Sequence, residues 1–357
     1  MSHPPLRTAV LGAGFFGTTL ALAARGSEAF DVVAISDLDA EAAAGLAARV
    51  GARTAAGPQE LAADPSIDLV MVATPNHTHA AAAITLLRAG KNVFVEKPLA
   101  ITATDAAAMV AAAENGPGRL MVGHVLRTLP GIKRMFAQAQ SGALGTLLEG
   151  SGTRTRLVHV PAGAGDWWKL DRTRSGGELL HEIHELDLLV WFLGEPTDVK
   201  CLAGAPRPAG PGSVDSVHRT TLAFASGAVG YHELSTSAHH AQWSFRVSGT
   251  EAALVADFRT STVSRYVDGA VADEWDLFDG GAADASLRES AAARQGYNAA
   301  GAASPLWMAE AVRCELAEVE AAVRGHASVL LAAPAAAVLA GAAAMDQLEE
   351  LQSAPVA

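Results

Sequence analysis

Short, unbroken apolar runs recur through the first third of the chain, separated by alanine- and leucine-rich stretches of helical length. Thr8 to Leu11, Val32 to Ile35, Leu69 to Ala73, Val93 to Val95 and Arg119 to Gly123 each read as a strand buried on both faces. Between them, Thr18 to Arg25, Leu38 to Arg49 and about Thr78 to Ala89 read as helices. This alternation from Thr8 to Gly123 predicts a parallel sheet covered by helices, that is, a doubly wound α/β domain of the nucleotide-binding type.

The pattern changes after Gly123. Leu129 to Gln140 predicts a helix, and Thr220 to Phe224, Val229 to Leu234 and Ser244 to Val247 predict strands, with a hairpin turn at Ser226-Gly227. These features predict a second, α+β domain with a predominantly antiparallel open sheet, so the expected division is 1–124 and 125–357. Glu178 to Leu193 reads as one helix. Leu179, Ile183, Leu186 and Val190 form its apolar stripe, and His181, His184 and Asp187 recur every three residues on a polar one. Gly204 to Gly212 and Gly280 to Gly296 read as exposed loops. Ala327 to Met345 is uncharged, but Pro334 interrupts it, so a buried or subunit-facing helix starting near Pro334 is expected rather than a membrane span.

Composition narrows the partner. The 357 residues are 50% apolar and 18% charged, with a net charge of −12 and no dense basic block. That balance excludes a nucleic-acid backbone or an anionic membrane as the natural partner and points to a small molecule. Cys201 and Cys314 stand in no metal or redox spacing, so neither a disulfide framework nor a zinc module is expected. His181 and His184 are three apart rather than the four of zinc peptidases, and no metal site is assigned. Met1 to Arg7 has no apolar core of export-signal length, and a cytoplasmic protein is expected.

Candidate chemistry sits at the carboxyl ends of the predicted strands. Gly12, Gly14 and Gly17 have G-x-G-x-x-G spacing between a strand and a helix, which suits a tight turn, close backbone approach to a pyrophosphate and close helix packing. Asp37 ends the second strand about twenty residues later, where a carboxylate accepts from ribose hydroxyls and repels a 2′-phosphate, favouring NAD over NADP. The competing reading is that Asp37 caps the helix from Leu38. Thr74 and Asn76 offer hydrogen-bonding groups after the third apolar run, and Glu96-Lys97-Pro98 closes the fourth. A charged pair held there by proline is a place for chemistry. His77 and His79, taken alone, read as capping or surface residues.

Taken together, Gly12-Ala13-Gly14-Phe15-Phe16-Gly17, Asp37, Ala73-Thr74-Pro75-Asn76-His77-Thr78-His79 and Glu96-Lys97-Pro98 resemble the glucose-fructose oxidoreductase and inositol 2-dehydrogenase (Gfo/Idh/MocA) family. Trp168-Lys169, Ser175-Gly176-Gly177, His184 and Asp187 extend the likeness to about residues 6 to 350. The resemblance implies an NAD-dependent oxidoreductase acting on a secondary hydroxyl of a sugar, polyol or glycoside. It makes Lys97 the proton carrier and His184 an orienting or relaying group. It implies cofactor contacts from Gly12, Gly14, Phe15, Phe16, Gly17, Asp37, Thr74, Pro75, Asn76, His79 and Glu96. Substrate contacts are implied for Arg127, Arg156, Trp168, His181 and Asp187, and a homodimer or homotetramer is implied through the second domain's sheet. One position departs from the family's pattern. Many members carry an aspartate four residues before the histidine matched by His184, and here that position is Leu180.

Overall fold

The computed structural model describes residues 3–158, 167–207, 214–293 and 304–331. The chain forms two compact units, the first from 3–100, 104–128 and 304–331 and the second from 101–103 and 129–293. The first begins β1 (Leu6–Leu11), α1 (Phe15–Arg25), β2 (Phe30–Ser36), α2 (Ala40–Val50), β3 (Arg53–Thr54) and α3 (Pro58–Ala63). It continues β4 (Leu69–Val72), α4 (His79–Arg88), β5 (Asn92–Glu96), α5 (Ala103–Glu114) and β6 (Leu120–Gly123). All six strands are parallel in the order β3-β2-β1-β4-β5-β6, so the order reverses between β1 and β4. In such sheets that switch point opens a crevice at the strands' carboxyl ends. Strand β4 is wholly apolar and buried, as are Ala9, Val10 and Leu11 of β1 and Val93, Phe94 and Val95 of β5, because helices cover both faces.

The second unit contains α6 (Pro130–Gln140), β7 (Leu147–Leu157), α7 (Arg172–Ser175), α8 (Glu178–His181) and α9 (His184–Leu193). Seven strands follow: β8 (Pro196–Arg207), β9 (Val214–Phe224), β10 (Val229–Ser235), β11 (Ser237–Gly249), β12 (Ala253–Asp257), β13 (Thr262–Val267) and β14 (Ala270–Asp276), then α10 (Ala282–Ala293). The sheet order is β14-β13-β12-β11-β7-β10-β9-β8, antiparallel throughout except for the β7–β10 pair. The Ser226-Gly227 turn joins β9 to β10, with Gly227 at φ +86° and its N–H donating to Phe224 O at 2.9 Å. Helices α6 and α9 meet through Phe136 and Trp191, stacked at 3.8 Å, and Phe192 continues the aromatic contact to Phe245 of β11 at 5.0 Å.

Three expectations change. The chain does not leave the first unit for good at residue 124, because α11 (Leu306–Val323) returns to pack on α1 and β6. Val312, Leu316, Val319 and Ala322 of α11 join Leu20, Ala21 and Ala24 of α1 in one core, so a late segment completes the early domain. The stretch expected as a loop after Gly280 is mostly α10, fastened by buried Asp284, which accepts from Phe278 N and Gly280 N. The single helix expected over Glu178 to Leu193 is broken at Glu182 (φ −110°, ψ 37°), so His181 ends one helix and His184 starts the next. The expected helix near Pro334 lies outside the described residues, as does part of the Gly204 to Gly212 loop, whose first residues extend β8. Among the described residues no helix is long and apolar enough to cross a membrane.

Helix α9 lies directly on β7 because Gly150 and Gly152 leave room for it. A Cβ at Gly152 would stand 2.6 Å from Glu185 Cβ, and one at Gly150 would stand 2.8 Å from Leu189 Cδ2. We expect Gly152→Ala to lift α9 from the sheet at a cost of about 1–3 kcal/mol. The check is the denaturation midpoint in urea, and an unchanged midpoint would show that the helix is not pressed onto the strand there.

Candidate cofactor and active site

In the first unit the loop after β1 meets the loop after β4. Gly12 has φ +107°, and a Cβ there would lie 2.5 Å from Ala73 O. A Cβ on Gly17 would lie 1.8 Å from Gly12 O, so α1 can start this close to the strand only with glycine at both positions. Nothing lies within 4 Å of a Cβ on Gly14. Gly14 caps α1 without a side-chain hydrogen bond, which leaves the first-turn N–H groups, including those of Phe15 and Phe16, to the space beside the loop. Open space before an uncapped helix amino terminus fits the diphosphate of a dinucleotide.

Asp37 follows β2. Its Oδ2 accepts from Ala13 N at 2.6 Å and its Oδ1 from Asp39 N at 2.9 Å, so the carboxylate is held against the glycine loop with lone pairs still available. The helix cap is Asp39, which accepts from Glu41 N and Ala42 N, and the capping alternative for Asp37 is thereby corrected. Leu38, beside it, is fully exposed and was not singled out from the sequence.

Beyond β4, Thr74, Pro75 and Asn76 lead into a short 3-10 turn (Asn76–Thr78). Thr78 Oγ1 bonds to Thr74 Oγ1 and to Pro75 O, both at 2.7 Å, and Asn76 is buried. His79 is fully buried rather than a surface residue. Its Nδ1 lies 2.9 Å from Pro98 O and its Nε2 lies 2.9 Å from Thr74 O, so one imidazole ties the β4 loop to the Glu96-Lys97-Pro98 loop. Burial pushes this ring below the usual histidine range, with the Lys97 charge adding to the effect, while the two carbonyls pull the other way. A neutral ring donates to one of them only.

Lys97 is half-buried at the end of β5 and joined to Pro98 by a cis peptide bond. Its N–H lies 3.3 Å from Glu96 Oε2. Glu96 is 7% exposed, and burial pushes its carboxyl up to about 7 against the opposing pull of Lys97. A second buried carboxyl, Glu315 of α11, is also pushed up, by burial and then by Glu96. It carries no motif, and only the return of α11 brings it here.

Arg127, expected at the substrate, is fully buried in a 3-10 turn of the first unit and donates Nη1 to Val329 O at 3.4 Å.

In the second unit a buried ion network fixes both sides of the α8–α9 break. Arg154 reaches Glu182 (Nε to Oε2, 3.0 Å) and Glu185 (Nη1 to Oε1, 3.3 Å), and its guanidinium lies 4.5 Å from the Trp243 ring centre. Trp243 Nε1 donates to the same Glu185 oxygen at 2.5 Å. Arg156, also expected at the substrate, donates Nη2 to Glu182 Oε1 at 2.6 Å. These partners hold His184, half-buried, in the first turn of α9, with Asp187 buried one turn on. His181 meets Trp168 edge to face at 6.0 Å, and Lys169 lies 5.7 Å from the Trp168 ring centre. Leu180, where many relatives have aspartate, is 1% exposed and packs over Gly176. Among the described residues no group of three or more His, Cys, Asp or Glu could hold a metal ion.

Because its pKa is lowered below the ordinary value of about 6.5, His79 is expected to stay neutral at pH 6.5. Ring ¹⁵N chemical shifts check this, and an imidazolium spectrum at that pH would mean that the two carbonyls outweigh burial.

A profile of an oxidoreductase family with an NAD-binding Rossmann fold matches residues 6–124, and a GFO/IDH/MocA C-terminal domain profile matches residues 132–255. The chain is 27% identical over 314 residues to 2,7-anhydro-N-acetylneuraminate hydratase of Escherichia coli (strain K12), covering 86% of this chain and 83% of that protein. It is 32% identical over 251 residues to inositol 2-dehydrogenase 2 of Paenarthrobacter aurescens (strain TC1), covering 66% and 70%. The fold matches that of levoglucosan dehydrogenase, solved in complex with NADH and levoglucosan, with a TM-score of 0.79 at 24% identity over 97% of this chain and 98% of that one. Matched in both of its domains, the chain belongs to the GFO/IDH/MocA family of NAD-binding oxidoreductases.

Proposed function

We propose that this protein is an NAD-dependent dehydrogenase that oxidises a secondary hydroxyl of a sugar, polyol or glycoside. The observation that carries the reading is Lys97, held at the carboxyl end of a central parallel strand between a buried glutamate and a proline, in the same unit as an open glycine loop. The backbone at Gly12, Gly14, Phe15, Phe16 and Gly17 takes the diphosphate. Asp37 accepts from the adenosine ribose, and exposed Leu38 offers an apolar face to adenine. Thr74, Pro75, Asn76, His79 and Glu96 shape the nicotinamide end.

Bound NAD supplies the hydride acceptor. The alcohol then has to lose its hydroxyl proton to the protein, and Lys97 Nζ receives it as general base. His184 orients the hydroxyl or relays the proton, and Trp168, His181 and Asp187 recognise the rest of the substrate. Arg127, fully buried and bonded to Val329 O, is assigned to holding the fold, whereas Arg156, a third exposed with one donor on Glu182, keeps donors for the substrate. A homodimer or homotetramer through the outer face of the eight-stranded sheet is supported by exposed Leu202, Val229 and Tyr231.

A second reading has one specific support. The hydratase relative, matched over most of both chains, favours a redox-neutral enzyme that holds NAD tightly, oxidises its sugar transiently and returns the hydride. Leu180 in place of the family's aspartate leaves the substrate group open between the two.

Nicotinamide absorbance with NAD and with NADP, against a panel of sugars, inositols and glycosides, separates these readings. Net reduction supports the dehydrogenase, whereas product formation without net reduction supports the redox-neutral enzyme. Lys97→Met is expected to lower kcat about 10²–10⁴-fold with NAD binding retained, and unchanged turnover would remove Lys97 from the mechanism. Asp37→Ala is expected to shift the NAD to NADP ratio of kcat/KM at least about tenfold towards NADP. An unaltered ratio would mean that the acid does not touch the ribose.

A further inference from the structure

In the second unit the first turn of α9 carries an acid turned onto the sheet. Glu185 follows His184 and is fully buried, and α9 begins at Ile183 without a side-chain cap. Its Cβ rests over Gly152 of β7, where a Cβ on the glycine would stand 2.6 Å away. Gly152 is the Cα partner of His232 on β10 and of Phe245 on β11, and two residues along, Arg154 is the partner of Trp243. Three neighbouring strands, β11, β7 and β10, therefore surround one carboxylate. A buried carboxylate is costly unless it is hydrogen-bonded, and leucine would pack over the glycine without that cost.

Two of these strands answer Glu185 at one oxygen. Trp243 Nε1 lies 2.5 Å and Arg154 Nη1 lies 3.3 Å from Oε1. The other oxygen, Oε2, is sealed from solvent and has no hydrogen-bond partner among the described residues. It faces His232 Nε2 at 4.0 Å. His232 is itself fully buried, and neither of its ring nitrogens has a hydrogen-bond partner among the described residues. Burial pushes this ring down to about 3, with the charges of His218, Arg154 and Arg219 adding to the effect, so it is neutral and carries one N–H. The groups around it have bonds of their own: His218 Nε2 lies 3.0 Å from Asp215 O, Arg219 pairs with Glu233, and Arg154 and Arg156 both reach Glu182. For the single His232 proton, Nε2 is the position with an acceptor in front of it.

We propose that His232 is a positioning residue for His184: as the Nε2–H tautomer it donates to Glu185 Oε2, completing a three-strand socket that fixes the first turn of α9. This rests on the reading of His184 as the group that orients the substrate hydroxyl or relays its proton. Adjacent residues on a helix point about 100° apart. A carboxylate held at both oxygens therefore sets the roll of α9, and with it the direction of the His184 ring. Held at Oε1 alone, Glu185 is left to swing about that oxygen, and a displacement of about 1 Å at a group that orients a substrate costs about 10²-fold in rate. A neutral imidazole suits the task, because it supplies a donor without adding a positive charge beside Arg154.

The test uses full-length protein and the variants His232→Phe, which keeps a ring and removes the donor, and His232→Gln, which keeps an N–H. With the fastest alcohol of the panel above, His232→Phe is expected to lower kcat about 10–10²-fold, while NAD affinity and the urea midpoint stay near wild type. His232→Gln should recover most of the loss. An unchanged kcat in His232→Phe, or a loss that tracks a lowered midpoint and is not rescued by glutamine, overturns the proposal. A double-mutant cycle gives a readout that a structural role would not move. In a His184→Ala background, His232→Phe should lower kcat no further, whereas additive losses would show that His232 does not act through His184. Ring ¹⁵N spectra at pH 7 need no substrate. His232 should carry its proton on Nε2 and leave Nδ1 bare, and a proton on Nδ1 overturns the hydrogen bond to Glu185. If His232→Phe does not fold, His232→Asn, whose shorter amide falls short of Glu185, takes its place in the same comparisons. Should His184→Ala leave turnover unchanged, the reading of His184 fails and the positioning role with it, and the spectrum alone still tells whether His232 donates to Glu185.

Discussion

The first unit depends on the contact between Gly12 and the carbonyl of Ala73. Two parallel strands diverge at the switch point of the sheet, and the loops that leave them must still pass one another. A methyl group at Gly12 would sit 2.5 Å from that carbonyl oxygen, and one at Gly17 would sit 1.8 Å from the oxygen of Gly12. With neither present, α1 starts against the strand ends, and its amino terminus faces open space at Gly14. Asp37 adds to the arrangement by accepting from Ala13 N, so the acid that suits a ribose also braces the turn that suits a diphosphate.

The two units handle buried charge in different ways. In the second, Glu182 and Glu185 are answered by Arg154 and Arg156 and by the Trp243 N–H, a set that fixes the break before His184. Removing one member of such a set strands a charge in a dry interior, at a cost of about 3–5 kcal/mol. In the first, Glu96 and Glu315 are both buried, and burial pushes each carboxyl above the usual carboxylate range.

His79 shows how local chemistry escapes inspection of a motif. In the sequence it is one of two histidines beside a helix start, and capping is the economical reading. In the fold it joins two loops, reaching Thr74 O five residues before it in the chain and Pro98 O 19 residues after it. Asp37 and Asp39 make the same point over two residues, since either could have capped α2, and only the backbone conformation at Asp39 decides which does.

The sequence by itself determined the parallel α/β domain, the glycine loop, the acid after β2 and the Glu96-Lys97-Pro98 strand end, along with the mostly antiparallel second sheet. These are legible because each is written in neighbouring residues: unbroken apolar runs, fixed glycine spacing, a proline after a lysine. Only the tertiary structure decided that α11 returns to complete the first unit, that the helix breaks at Glu182, that Arg127 and Arg156 are held by protein acceptors, and that α11 buries Glu315. Those facts rest on burial and on the pairing of charges from distant parts of the chain, and neither has a signature in the order of adjacent residues.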